Sequence, residues 1–95
     1  LRLEWSPLAQ ADREAIFDFA VTRSARSAVV MDEHIAAAVR RLRLFPEIGR
    51  QGRMAGTREL VVQGAPFIVA YRIERQTIKV LRVLHSSRRW PAAFD

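Results

Sequence analysis

The sequence predicts a single α+β domain over residues 1–95, ordered β-α-α-β-β-β, with a helical hairpin packed on a mainly antiparallel sheet. Three observations carry this. Apolar residues alternate singly at the start of the chain, recur at helical spacing through the first half, and return as three short β-type runs in the last third. Ninety-five residues allow one domain with one modest core.

The opening strand is Leu1 to Trp5, with Leu1, Leu3 and Trp5 on one side and Arg2 and Glu4 on the other. Ser6 then caps a helix, and Pro7 suits its first position because the missing N–H is not needed there. Leu8, Ala11, Ala15, Ile16, Phe19 and Ala20 form its expected buried stripe to about Thr22, with Gln10, Arg13, Glu14 and Asp18 facing away. Ser24 or Ser27 caps a second helix. Its stripe is Ala28, Met31, Ile35, Ala38, Val39, Leu42 and Phe45, and Pro46 ends it. His34, alone near the middle of this helix, reads as a surface residue.

Pro46 to Gly56 holds three of the four glycines and reads as a connecting loop whose glycines allow positive φ. Its two arginines match no phosphate-binding spacing. The strands follow: Thr57–Val62, the turn Gln63-Gly64-Ala65, Pro66–Glu74, the tight link Arg75-Gln76, and Thr77–His85. The last two are apolar on both faces and belong at the sheet centre. In the tail, Ser86 to Asp95, Trp90 is expected to tuck back on the sheet, and Phe94 to be loose or held by a partner.

Charge is divided between the halves. Residues 1–39 carry four arginines against six carboxylates, a net −2; residues 40–95 carry twelve basic groups against four carboxylates, a net +8. All but Lys79 of those in the second half are arginine, whose planar fork suits carboxylate or phosphate. Such a half fits a polyanion or an acidic protein. There is no cysteine, which excludes a disulfide framework and a thiol nucleophile, and two distant histidines argue against a zinc site. Neither a membrane-spanning run nor the apolar core of a signal peptide is present, so a cytoplasmic protein is expected.

Candidate chemistry concentrates in the last third. Arg72 and Arg82 sit mid-strand, where an arginine needs an anionic partner or a solvent-facing groove. Arg58 and Glu59 lie on the neighbouring strand. Glu59 therefore reads either as the centre of a salt-bridge network with these arginines or as part of an arginine-lined groove for RNA or an acidic segment. His85, at a strand end beside Arg88 and Arg89, could serve as a general acid or base, or simply pack.

The blocks LEWSPLAQADREAIFDFA, LFPEIGRQG, GTRELVV, PFIVAYRI and VLRVLHSSRRWP resemble the RelE/ParE superfamily of small bacterial toxins from type II toxin–antitoxin modules. The likeness covers nearly the whole chain. It implies growth inhibition, a role in plasmid stabilisation, and a cognate antitoxin whose acidic, partly disordered segment wraps the toxin in a hetero-oligomer. No metal, cofactor or membrane is implied. The superfamily divides between DNA gyrase inhibitors (ParE-like) and ribosome-dependent mRNA endoribonucleases (RelE-like). On the nuclease reading, Arg72 and Arg88 match phosphate-holding arginines and His85 is the base. Phe94 stands about where such members carry a tyrosine, and Arg58-Glu59 replaces their lysine pair. The wording RELVV, YRI and VLRVLH is closer to the ParE-like branch, which is the favoured expectation. Arg58, Glu59, Arg82, Arg89 and Trp90 are then anion- or partner-binding candidates.

Overall fold

Serine side chains start both helices. The Ser6 hydroxyl accepts the Ala9 N–H at 3.0 Å, and the Ser24 hydroxyl accepts the Ser27 N–H at 3.1 Å. The computed structural model describes residues 1–94, as β1 (Arg2–Trp5), α1 (Pro7–Val21), α2 (Ala25–Leu44), β2 (Arg50–Gln51), β3 (Arg58–Val61), β4 (Phe67–Glu74) and β5 (Thr77–His85). The five strands form one sheet in the order β1-β5-β4-β3-β2. β1 runs parallel to β5, and the other neighbours are antiparallel. The expected α+β arrangement holds, with β4 and β5 central. It gains one strand: Arg50–Gln51, inside the expected loop, pairs with Arg58 and Glu59.

The core lies between α2 and one face of the sheet. Ile35, Val39 and Leu42 pack with Val69, Tyr71, Ile78, Val80 and Val83. A β-bulge shapes that face. Ala70 pairs with Arg82 but Tyr71 pairs with Val80, so Leu81 is the extra residue. The bulge reverses the alternation of β5, which is why Val83 joins Ile78 and Val80 in the core and His85 comes opposite Phe67.

α1 is rotated from its expected setting. Ala9 is its one fully buried residue and Ile16 is half-buried, while Leu8, Ala11, Ala15 and Phe19 are exposed. Two polar contacts account for this. Arg13, expected to face away, forms a double hydrogen bond to Asp32 of α2, at 2.6 and 2.9 Å. Asp12 reaches the edge of β5. β1 ends opposite Val80, so β5 has no strand neighbour beyond that point on this side. Ser6 donates its N–H to the Val80 carbonyl and its hydroxyl to the Leu81 carbonyl, and Asp12 accepts the Val83 N–H at 2.9 Å. The beginning of α1 thus satisfies backbone groups that a longer β1 would have taken.

The other helix keeps its stripe except at its end, where Phe45 is exposed. The chain then turns back under Tyr71, whose buried hydroxyl donates to the Pro46 carbonyl at 2.7 Å and accepts the Gly49 N–H at 2.9 Å. A methyl group at Gly49 would stand 2.6 Å from that hydroxyl, so the position admits no side chain without displacement. Of the glycines in this loop, Gly56 has a positive φ, and Arg75 adopts one in the β4–β5 turn.

Candidate functional site

The arginines of the strands do not form one network. Glu59 is 3% exposed and is bonded by the Arg53 N–H at 2.8 Å, Arg50 Nη2 at 3.1 Å and Arg53 Nε at 3.2 Å. Burial opposes its charge, yet these bonds outweigh it and hold the carboxyl below its ordinary range. Neither Arg72 nor Arg82 is its partner, which corrects the expected network. Arg82 instead grips Asp12 through two bonds, of 2.7 and 2.8 Å. Arg72 approaches Glu74 at 2.7 Å, although its Nε–H has no acceptor in line; Lys79 lies 3.3 Å from the same carboxylate. Arg58 donates to the Gly49 and Glu47 carbonyls and ties down the loop after α2. Each of these side chains has a contact within the chain. The partners of Glu59 and Arg82 lie in the loop and in α1, where strand-by-strand reading does not look.

A second group gathers at the other end of β5. His85 stands edge-on to Phe67, with centroids 5.4 Å apart, and its Nδ1 accepts the Ser87 N–H at 3.2 Å. The His85 carbonyl accepts the Trp90 indole N–H at 3.1 Å. The Arg53 guanidinium lies over the Trp90 ring at 3.5 Å, and Phe94 leans on the same ring at 6.2 Å. Trp90 therefore folds back as expected. Phe94, expected loose or partner-held, has a neighbour within the chain. Through Arg53 the tail is linked to the Glu59 cluster.

Between this tail and α1 runs a groove of about 490 Å³. Its floor is apolar, with Ile16, Phe19, Met31, Phe67 and Val83 among its residues, and Arg88 and Arg89 stand at its rim. Both arginines are exposed and have no carboxylate partner among the described residues. Phe19 is 60% exposed on the groove side. The groove was not anticipated, because α1 was expected to bury the apolar residues that form its wall. The structure brings His85, Arg88, Arg89 and Trp90 together. Arg72 is not with them: it lies five positions from Phe67 along β4, about 17 Å, and on the opposite face of the sheet. No cluster able to hold a metal ion occurs among the described residues.

A model of the ParE toxin of the type II toxin–antitoxin system parDE matches residues 3–90. The chain belongs to the ParE toxin family. Among ParE-related structures, a chain of the chromosomal ParDE toxin–antitoxin system of P. aeruginosa superposes with a TM-score of 0.82 at 27% identity, covering 90% of this chain and 95% of that one. A curated protein of Sinorhizobium fredii (strain NBRC 101917 / NGR234), Y4kP, which carries a provisional toxin designation, is 44% identical over 57 residues. That match takes in 60% of this chain and 58% of the relative's length. The groove thus lies on a fold shared with a chain of a toxin–antitoxin system.

Proposed function

We propose that this ParE-family chain is a growth-inhibiting toxin that acts by binding DNA gyrase, and that a cognate antitoxin neutralises it through an acidic, apolar-studded segment seated in the groove beside α1. One observation carries the antitoxin part: an apolar floor meets a rim of two arginines that have no carboxylate partner among the described residues. Partly apolar, acidic segments bury their side chains in such a floor while their carboxylates meet the arginine forks. His85, Arg88, Arg89 and Trp90 are the contact residues in this reading.

The separation of Arg72 from His85 favours a binding mode of toxicity over RNA cleavage. The Arg72 and His85 backbones stand about 17 Å apart along the sheet and their side chains project from opposite faces, which does not suit a phosphate held by one and a proton moved by the other. The alternative is a ribosome-dependent endoribonuclease built on His85 and Arg88 alone. Two assays on one preparation decide between them. The expected result is loss of gyrase supercoiling with intact mRNA on programmed ribosomes; normal supercoiling with toxin in excess, or mRNA cleavage that His85→Ala abolishes, overturns the gyrase reading. For the groove, Arg88→Glu with Arg89→Glu should weaken antitoxin binding at least about 100-fold at low salt and flatten its salt dependence. Unchanged affinity would move the antitoxin elsewhere.

A further inference from the structure

The residues after His85 form one wall of the groove, yet their own backbone holds them weakly. The Ser86 N–H donates to the Pro66 carbonyl and the Arg88 N–H to the His85 carbonyl. Past Arg88, no backbone group of the described residues is hydrogen-bonded within the chain. Arg88, Arg89 and Trp90 all line the groove, so their places depend on whatever anchors the tail. That anchor is the Trp90 side chain. Its indole N–H reaches the His85 carbonyl, Phe94 leans on the ring, and the Arg53 guanidinium carbon lies 3.5 Å from the ring centroid. At that distance the charged plane is in contact with the aromatic face.

Arg53 is itself held still. The turn that bears it is closed on both sides: the Gly52 N–H donates to the Thr57 carbonyl at 2.8 Å, and the Thr57 hydroxyl donates to the Met54 carbonyl at 2.6 Å. One oxygen of Glu59, Oε2, then accepts both the Arg53 backbone N–H at 2.8 Å and its Nε–H at 3.2 Å, which fixes the side chain at its root and near its tip. A carboxylate takes the edge of a guanidinium and leaves its faces free to stack. The buried Glu59 thus aims the Arg53 guanidinium at Trp90, although neither Glu59 nor Arg53 lines the groove. We infer that Arg53 is a positioning residue: held by Glu59, it anchors Trp90 and so sets where Arg88 and Arg89 present their charge to an acidic partner segment. The partner role rests on the groove reading above; the anchoring of the tail does not.

Two measurements test this. The first is indole N–H exchange of Trp90 in the free protein, followed by NMR, with Trp5, the other tryptophan, as internal reference. Arg53→Ala should speed exchange at Trp90 about threefold to tenfold and leave Trp5 unchanged. Glu59→Gln should speed it too. Arg50→Ala removes the same charge and another Glu59 bond but touches no tail residue, and should move neither signal. The second is titration with the cognate antitoxin. Arg53→Ala should weaken binding about tenfold and Arg50→Ala by less than about twofold. Tyr71→Phe, which loosens the same loop at Gly49, should leave the affinity unchanged. Arg53→Ala and Trp90→Ala should be non-additive in binding. Equal exchange at Trp90 in Arg53→Ala and Arg50→Ala overturns the anchoring. Equal affinity of those two variants, while Arg88→Glu with Arg89→Glu still weakens binding, overturns the positioning role and spares the groove. Affinity unmoved by Arg88→Glu with Arg89→Glu overturns the groove reading, and with it the partner role of Arg53.

Discussion

Tyr71 and Glu59 are two of the buried polar side chains on which the loop between α2 and β3 depends. Tyr71→Phe leaves the Gly49 N–H and the Pro46 carbonyl without their partner, and should lower unfolding free energy by about 1–3 kcal/mol, measured by urea denaturation. Burial pushes the phenol above its ordinary value of 10.0, the larger effect, while the Gly49 N–H opposes it. The phenol's contribution is therefore present below that pH and lost as pH rises through the raised value. Glu59 works in the opposite direction. Its carboxyl is held below the ordinary 4.5, so its contribution is present above that value and lost as pH falls through the lowered one. Glu59→Gln should cost about 1–2 kcal/mol at pH 7 and progressively less in acid, since two of the three donors come from half-exposed arginines. A pH series of chemical denaturation on both proteins checks this; a difference independent of pH would show that the charge of Glu59 is immaterial. That an acid stood among arginines was legible in the sequence. Which arginines held it was not, because Arg50 and Arg53 reach it only once an unforeseen two-residue strand has turned their loop alongside β3.

At the scale of elements, α1 is set by polar contacts as much as by apolar ones. Its hydrophobic spacing pointed to the right helix and the wrong rotation. Asp12 and Arg13 have inward partners supplied by β5 and α2, and partners on other elements leave no trace in a helix's own periodicity. The Asp12–Arg82 pair should behave as a unit. Asp12→Ala and Arg82→Ala should each cost about 2–4 kcal/mol, and the double variant should cost much less than their sum, with a coupling energy of about 1–3 kcal/mol. Thermal or urea unfolding of the four proteins completes the cycle; additive losses would mean that the two side chains act separately. The Val83 N–H also depends on Asp12, so Asp12→Ala should be the more damaging change, and amide exchange at Val83 should accelerate in it alone.

Over the whole molecule, the order of elements, the central position of β4 and β5, and the family were all legible, because strand alternation and turn residues are local signals. The groove was not, since it exists only where α1 fails to cover its own apolar side. The charge imbalance between halves was legible as a number, and the fold gives it a place. Most strand arginines are engaged within the chain, by Asp12, Glu59, Glu74 or loop carbonyls. Arg88 and Arg89 are left to act outward. Replacing Arg82 should therefore destabilise the protein with little direct effect on partner affinity, whereas replacing Arg88 and Arg89 should weaken the partner with unfolding free energy changed by less than about 0.5 kcal/mol. Paired denaturation and binding titrations separate the two classes.

The parallel pairing of β1 with β5 also bears on how the protein is born. β5 lies between β1 and β4, so the first strand made has no neighbour until the last strand of the sheet has been synthesised. At about 5–20 residues per second, the intervening stretch takes roughly 4–15 s to translate. Throughout that interval Ile35, Val39 and Leu42 have no completed sheet to cover them, and α1 has no β5 edge to cap. Folding is thus deferred to the end of translation, and a nascent ParE chain acquires its surfaces all at once rather than piece by piece.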